Sequence, residues 1–195
     1  MTAISPLQNI HKKGLFGDHH KKNEIDLLTI SEKNNLTIVQ IVQYKNSKVG
    51  LNTIQIDGLE LFLQSSKVLS NKDTRILWMA PKTWLIITRK KNIIETINQN
   101  CSKEDFAITD ISHSRTVIQI KGLQVKEVLK KGCPLNFNEF EKNSCAGSVF
   151  HGISIVVDCI DDNPGTFNLI TLRSFGESFY HYITDAGLEF GYVAI

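Results

Sequence analysis

The sequence has no excess of charge of either sign. Its 195 residues include 22 Lys and Arg and 20 Asp and Glu, which gives a formal net charge of +2 at pH 7. Proteins that bind nucleic acid through its phosphates carry clustered excess positive charge. The composition therefore gives no reason to expect a nucleic-acid partner.

Long apolar runs are absent too. The sequence contains no run of about 18 apolar residues, the length that a membrane-spanning helix needs. No apolar segment follows the N-terminal basic residues as it would in a signal peptide. Hydrophobic residues nevertheless make up 42% of the chain, an ordinary value for a globular protein. We therefore expect a cytoplasmic protein with a well-formed core and no membrane partner.

Paired cysteines and nucleotide-binding or metal-binding motifs are also missing. No C-x-x-C, glycine-rich phosphate loop, G-x-G-x-x-G or H-E-x-x-H pattern occurs. In a chain of this size without a leader, isolated cysteines are expected to be reduced and mostly buried. The four cysteines are Cys101, Cys133, Cys145 and Cys159.

The first 35 residues are polar and basic. They predict a solvated N-terminal arm over 1–35, and the alternative is a docking tail for an acidic partner surface. A metal site at the adjacent His19 and His20 would need further ligands, and the sequence offers none at a suitable spacing. The basic residues of the arm are Lys12, Lys13, Lys21 and Lys22.

The rest of the chain repeats one order of elements, which divides it into units at 36–105 and 106–195. Periodicity predicts strands at 36–44, 116–120, 145–150, 152–160 and 166–172, a hairpin over 75–88 about Pro81-Lys82, and helices from Ile93, over 123–131 and from Phe175. The segment 49–69 fits neither a helix nor a strand well. The order predicts an α+β protein of two tandem ferredoxin-like units.

Capping residues predict where the helices begin and end. Asn92 is suited to cap the helix from Ile93, and Ser174 with Glu177 forms a capping-box pattern. Gly132 in a left-handed conformation would end the helix over 123–131. The spacing predicts an apolar face on the last helix, formed by Phe175, Phe179, Tyr182, Ile183 and Ala186.

Several residues carry side chains that could be catalytic. Ser112 and His113 follow Asp110, but neighbouring side chains on an extended chain point to opposite faces and cannot form a nucleophile–base pair. Cys133 follows a helix C-terminus, whose negative end disfavours a thiolate. Structural roles are therefore favoured at these positions. The acidic residues Asp158, Asp161 and Asp162 surround a Pro-Gly turn and lack the spacing of a calcium loop.

Three runs of the sequence resemble the sarcosine oxidase gamma subunit family. The first is TDISHSRTV at 109–117 followed by KKGCPL at 130–135. The second is LWMAPKTWLI at 77–86, where the family more often has Gly-Pro-acidic in place of Ala-Pro-Lys. The third is TFNL at 166–169 with RSFGES at 173–178. The resemblance covers roughly residues 36 to 192.

The resemblance implies a fold like the folate-binding aminomethyltransferase (the glycine cleavage T-protein). It also implies a role as a non-catalytic scaffold with alpha, beta and delta subunits as partners. The complex would oxidise sarcosine to glycine and hydrogen peroxide, and it would transfer the methyl carbon to tetrahydrofolate or release it as formaldehyde. FAD, FMN and NAD would lie in the alpha and beta subunits and zinc in the delta subunit, with no cofactor in this chain.

Two alternatives stay open at this stage. One is a free-standing tetrahydrofolate-binding protein of the aminomethyltransferase type, and the other is the equivalent subunit of a related N-methyl amino acid dehydrogenase. The trio Lys131-Gly132-Cys133 also occurs in a folate-binding paralogue family, where Gly-Gln-Glu follows it; here Pro134 follows. A subunit needs a contact surface, and basic residues suit one that meets acidic neighbours. The candidates are Lys12, Lys13, Lys21, Lys22, Arg89, Lys90, Lys91, Arg115 and Arg173.

Overall fold

The computed structural model describes residues 4–20 and 22–195, and within them the chain has 14 strands and three α-helices. The strands are β1 (Gly14–Phe16), β2 (Leu28–Glu32), β3 (Thr37–Gln43), β4 (Gln55–Ile56), β5 (Leu59–Glu60), β6 (Val68–Ser70), β7 (Thr74–Ala80), β8 (Thr83–Thr88), β9 (Phe106–Asp110), β10 (Arg115–Lys121), β11 (Cys145–Phe150), β12 (Ile153–Asp162), β13 (Gly165–Leu172) and β14 (Tyr192–Ala194). The helices are α1 (Ile93–Asn100), α2 (Val125–Lys130) and α3 (Gly176–Gly187).

The chain forms two compact units. Residues 35–113 form one, here called the central unit, and the residues up to 34 join 114–195 in the other, the terminal unit. This division differs from the predicted boundary between 105 and 106, because β9 pairs with β3 and so belongs to the central unit.

The N-terminal segment differs from the predicted solvated arm. Leu7 is fully buried, β1 pairs with β14, and β2 lies between β14 and β10 in the sheet of the terminal unit. Leu28 and Ile30 alternate with more polar residues and enter the core of this unit. This alternation is the reason why 28–32 forms a strand.

The sheet of the terminal unit has seven strands in the order β1-β14-β2-β10-β13-β12-β11. Its neighbouring strands are antiparallel except for β14 and β2, which are parallel. Helices α2 and α3 contribute to the core on one face, where Ile118 and Ile120 of β10 meet Leu169 of β13 and Phe179 of α3. The β-branched residues of β10 suit such a half-buried strand.

The main sheet of the central unit has five strands in the order β6-β7-β8-β3-β9, and every neighbouring pair is antiparallel. The predicted hairpin is present as β7 and β8, with Trp78 opposite Trp84. Trp84 is fully buried and donates a hydrogen bond from Nε1 to the carbonyl oxygen of Phe62 at 2.7 Å. Ile93 and Ile97 of α1 pack into the same core. The segment 49–69 forms a short 3₁₀ turn and the small β4–β5 hairpin.

The predicted N-cap position of α1 is correct, and that of α3 is wrong. Helix α1 begins after Asn92, whose side chain makes no capping hydrogen bond. Helix α3 begins after Phe175, whose side chain has no group that could cap a helix. Ser174 lies in the 3₁₀ turn that precedes α3, one residue before the N-cap position, which it would have to occupy to form a capping box with Glu177.

The predicted apolar face of α3 is correct in its middle and wrong at two positions. Phe179 and Ile183 are fully buried, whereas Phe175 is 46% and Tyr182 43% exposed. Tyr180 is buried instead, and this burial raises its pKa to about 12. Phe175 is exposed because it precedes the helix and does not follow the helical period.

Candidate functional site

The loop after β9 uses its polar side chains to hold its own conformation. Ser112 donates hydrogen bonds to Asp110 Oδ1 from its hydroxyl at 2.5 Å and from its backbone N at 2.9 Å. The Ser112 hydroxyl also accepts a hydrogen bond from the backbone N of Ile38 at 2.9 Å. Partial burial raises the pKa of Asp110, but the two hydrogen bonds from Ser112 outweigh it and leave this pKa below its ordinary value. Asp110 and Ser112 therefore fasten this loop to β3.

The residues after α2 form a close-packed turn. Cys133 is buried, and its Sγ donates to Ser148 Oγ at 3.4 Å. The prediction of a left-handed Gly132 is wrong, because this residue does not have a positive φ. A glycine is needed at this position because a side chain does not fit: a Cβ on Gly132 would lie 2.8 Å from the ring of His151 and 2.9 Å from that of Phe150.

Lys131, next to this turn, is held within the chain. Its Nζ donates to the carbonyl oxygen of Ala186 at 2.6 Å, forms an ion pair with Glu189 at 2.8 Å and lies 4.9 Å from the centre of the Phe190 ring. These contacts fasten the end of α2 to the segment after α3.

The acidic turn after β12 is held by contacts within the chain. The backbone N of Asn163 donates a hydrogen bond to Asp161, and this bond, together with the ion pair to Lys142 at 3.2 Å, lowers the pKa of Asp161. Within 4–20 and 22–195, no group of three or more His, Cys, Asp or Glu residues could hold a metal ion. The same ranges contain no helix long and apolar enough to cross a membrane.

The basic residues of the N-terminal segment fall into two groups. Lys12 and Lys13 are exposed just before β1, and they form no ion pair within the described part of the chain. Lys22 is held within the chain instead: it pairs with Asp18 at 2.9 Å and donates to the carbonyl oxygen of Phe190 at 3.3 Å. Lys21 lies outside the described residues.

The three basic residues before α1 also differ from one another. Arg89 and Lys91 are exposed, whereas Lys90 forms an ion pair with Asp57. Asp57 accepts a further hydrogen bond from Thr74 Oγ1 at 2.6 Å. Asp57 is not among the residues predicted from the sequence, although the Asp57-Gly58 pair is a turn signal that points to this position.

Arg115 and Arg173 come together at one end of the terminal unit's sheet. Arg115 is opposite Leu172 in the β10–β13 register, and Arg173 follows directly and donates to the carbonyl oxygen of Ile4. Arg115 donates to the carbonyl oxygen of Ser114 at 3.2 Å, and its burial lowers the pKa of its guanidinium. Among the residues that the structure describes, neither arginine forms an ion pair with a carboxylate.

Comparisons with known proteins agree with this structure. Residues 47–189 match the model of a family described as "Sarcosine oxidase, gamma subunit family". Over 120 residues the chain is 25% identical to the sarcosine oxidase subunit gamma of Corynebacterium sp. (strain U-96), a match that covers 60% of this chain. It spans 58% of the length of that relative.

Two solved structures share the fold. One is a chain of the heterotetrameric sarcosine oxidase from Corynebacterium sp. U-96 in complex with pyrrole 2-carboxylate. It has a TM-score of 0.83 and 20% identity, over 96% of this chain and 95% of that one. The other is aminomethyltransferase T of the glycine cleavage system from Bartonella henselae. Its TM-score is 0.60 at 11% identity, over 80% of this chain and 45% of that one. The expected α+β fold similar to the T-protein is thus confirmed.

Proposed function

Because the chain belongs to the sarcosine oxidase gamma subunit family, we propose that it is the gamma subunit of a heterotetrameric sarcosine oxidase. The family match carries this proposal, since it extends from residue 47 to residue 189 and so includes most of both units. The similarity to a chain of the Corynebacterium enzyme over 96% of this chain supports it at the level of the fold.

The complete assembly oxidises sarcosine to glycine and reduces dioxygen to hydrogen peroxide. The methyl carbon leaves as formaldehyde or passes to tetrahydrofolate as a methylene group. The partners of this chain are the alpha, beta and delta subunits. FAD, FMN and NAD are bound by the alpha and beta subunits and zinc by the delta subunit. The chain itself supports the assembly in the cytoplasm as a non-catalytic scaffold.

The contacts of the polar side chains support a scaffolding role. Asp110 and Ser112 hydrogen-bond to each other within the loop after β9, and Cys133 is buried against Ser148. A nucleophile or general base must be free to reach a substrate proton or carbon. Side chains that hold turns in place are suited to stability, and a permanent subunit needs a stable surface more than it needs a reactive group.

The strand orders support a finer description of the fold, as two ferredoxin-like units. In the central unit, β9-β3-β8-β7 has the order and the antiparallel directions of a ferredoxin-like sheet whose first helix is replaced by residues 44–67. In the terminal unit, β10-α2-β12-β13-α3-β14 follows the same order of elements. There, β2 is inserted between β14 and β10.

The basic residues with no ion pair in the described part of the chain are the candidates for contact with acidic partner surfaces. A permanent interface of this kind buries more than about 2,000 Å² and is apolar at its centre with charged groups toward the rim. Arg115 and Arg173 lie beside the exposed Leu172, so that end of the sheet has both an apolar side chain and charged groups. The other candidates are Lys12, Lys13, Arg89 and Lys91. Lys22 and Lys90 are engaged within the chain and are weaker candidates.

Co-expression tests this function. The chain is produced with a tag together with the alpha, beta and delta subunits, and the complex is purified at physiological and at raised salt. We expect recovery of a flavin-containing complex that forms hydrogen peroxide when sarcosine is added. The double variant Arg115→Ala/Arg173→Ala should reduce recovery, with Lys22→Ala as the control in which a cation already paired within the chain is removed.

Two outcomes would contradict the proposal. A chain that stays a stable monomer and recovers no flavoprotein partner at either salt concentration is not a subunit. If that monomer binds tetrahydrofolate in a titration, the free-standing folate-binding function takes its place. A complex that forms but oxidises another N-methyl amino acid in place of sarcosine would identify the chain as the subunit of a related dehydrogenase.

A further inference from the structure

The two large sheets end in four edge strands, and three of these edges carry features that oppose pairing with another chain. Strands β1 and β6 are only three residues long, and each follows a lysine-containing segment. Strand β9 follows Glu104 and Asp105 and ends at Asp110. Short length and flanking charge are the usual means by which proteins protect a sheet edge.

The fourth edge, β11, lacks this protection. It is six residues long, and its register with β12 runs from Cys145 to Phe150 without a bulge. Residues 143–157, which include β11 and its turn, contain no Asp, Glu, Lys, Arg or Pro. An edge strand that is long, regular and uncharged is a template for a further strand.

The backbone of β11 offers hydrogen-bonding groups on its outer side. In an antiparallel ladder, alternate residues of an edge strand point their N–H and C=O groups away from the neighbouring strand. Within the part of the chain that the structure describes, residues 146–149 make no backbone hydrogen bond outside the β11–β12 ladder. The outward groups in this range are therefore available to a partner backbone.

The side chains of β11 leave room for that partner. A Cβ placed on Gly147 would meet no atom within 4 Å, and the side chain of Val149 on the same face is 38% exposed. A strand laid along β11 could cover Val149 and place a large apolar or aromatic side chain opposite Gly147, an arrangement that stabilises glycines at sheet edges.

We propose that β11 is a binding site for an extended, uncharged segment of another subunit, which adds an eighth strand to the sheet of the terminal unit. The bound segment carries an apolar side chain opposite Gly147 and hydrogen-bonds to the outer backbone groups of residues 146–149. This inference rests on the proposed function for the existence of the other subunits. Strand addition of this kind obtains its affinity from backbone hydrogen bonds and its specificity from alternate side chains.

The test compares the two edges of the same sheet in the co-expressed complex. Val149→Lys places a charge within β11, and Leu15→Lys places the same charge in β1, where the side chain of Leu15 is 51% exposed. We expect Val149→Lys to weaken association with the alpha, beta and delta subunits about tenfold or more, and Leu15→Lys to leave it within about twofold. Equal association of wild type and Val149→Lys would overturn the inference.

Hydrogen exchange on the unaltered protein gives an independent result. The outward amides of residues 146–149 should exchange rapidly in the isolated chain and slowly in the assembled complex. Unchanged exchange on assembly overturns the inference even if Val149→Lys fails to fold. A wild-type chain that recovers no partner subunits contradicts the proposed function itself. A homodimer of the isolated chain that Val149→Lys abolishes would show that β11 binds a second copy, which overturns the assignment to another subunit.

Discussion

At the scale of single residues, the contact between the N-terminal segment and the segment after α3 depends on Gly191. This residue has a φ of +69°, and a Cβ on it would lie 2.5 Å from the carbonyl oxygen of Asp18. Gly191→Ala should therefore lower the free energy of unfolding by about 2–4 kcal/mol, from an unfavourable backbone conformation and a steric clash. Chemical denaturation of the isolated chain measures this change.

Ser174→Ala is the control for that experiment. Ser174 makes no capping hydrogen bond to α3, so its loss should cost less than about 0.5 kcal/mol. A cost of about 1 kcal/mol or more would mean that Ser174 caps the helix in solution, as the sequence pattern predicts.

The ion pair between Lys90 and Asp57 gives a pH dependence of stability. Partial burial raises the pKa of Asp57, but hydrogen bonds from Lys90, Thr74 and Asn71 outweigh it, and the pKa is lower than its ordinary 3.8. A depressed carboxyl pKa stabilises the fold above pH 3.8, and this contribution is lost as the pH falls through the folded-state pKa. The pKa of Lys90 is raised from 10.5 by the hydrogen bond to Asp57, so its contribution is lost only at higher pH.

Lys90→Met should thus lower the melting temperature at pH 7, and the difference from wild type should shrink as the pH falls below 3.8. The effect is modest because the side chain of Lys90 is 40% exposed. Lys91→Met, at an exposed neighbour with no ion pair among the described residues, should leave the melting temperature unchanged. A difference that stays constant from pH 7 to pH 3 would contradict this account.

At the scale of elements, α3 offers a comparison between two aromatic residues of one helix. Phe179 is fully buried and its ring lies 5.9 Å from that of Phe150, whereas Tyr182 is half exposed. Phe179→Ala should cost about 3–5 kcal/mol of stability, because it removes core contacts and leaves a cavity. Tyr182→Ala should cost much less.

Denaturation of the isolated chain and purification of the complex separate stability from association. If Phe179→Ala leaves the stability of the isolated chain unchanged and weakens association, the assignment of Phe179 to the core is wrong. If Tyr182→Ala weakens association without loss of stability, the exposed side of α3 lies in an interface.

Elements with strong local patterns could be predicted from the sequence. The β-branched residues of 116–120 and the Pro81-Lys82 turn led to β10 and to the β7–β8 hairpin, and the apolar spacing from Phe175 led to α3. In these segments the pattern of apolar and polar side chains indicates which face is buried. The structure predicted from this local pattern is the one that the tertiary contacts stabilise.

Elements that depend on distant partners could not be predicted. Strand β2 is five residues long and is stabilised by β10 and β14, which lie far away in the chain. Its surroundings are polar, so the composition of 1–35 indicated an arm. Strand β9 was missed for the same reason, since its pairing with β3 joins residues from opposite ends of the central unit.

For the assembled complex, we expect no large loss of catalysis when polar groups of this chain are removed. Sarcosine turnover should stay within a few-fold of wild type in each of three variants, His113→Ala, Cys133→Ser and Asp110→Asn. The reason is that Asp110 hydrogen-bonds within its own loop, Cys133 is buried, and His113 is exposed in the turn that follows. Steady-state kinetics of the purified complex provides the measurement.

A loss of about a thousandfold in kcat with normal assembly would contradict this prediction, because that is the effect of removing a group that acts in the transition state. The predicted alternation of Ser112 and His113 assumed an extended chain, but Ser112–Ser114 forms a 3₁₀ helix, so the sequence did not predict the local conformation. It could not identify their partners: the hydrogen bond between Ser112 and the backbone of Ile38 joins residues that are adjacent only in the folded sheet.

The insertion of the central unit between β2 and β10 has a consequence for how the chain is made. Strand β2 leaves the ribosome first, but β10, its neighbour in the sheet, ends only at residue 121. At ordinary rates of translation β2 waits roughly 4–18 s for this neighbour, and longer for β14. The central unit is continuous in the chain and can fold during this interval.

Nascent chains arrested at increasing lengths should therefore gain protection from protease over 35–113 before they gain it over 28–32. Protection of 28–32 in chains that stop before β10 would contradict this order. During translation, the part of the protein that is made first is completed last: β2 stays unpaired until β10 has been made, and it is paired on both sides only when β14 arrives.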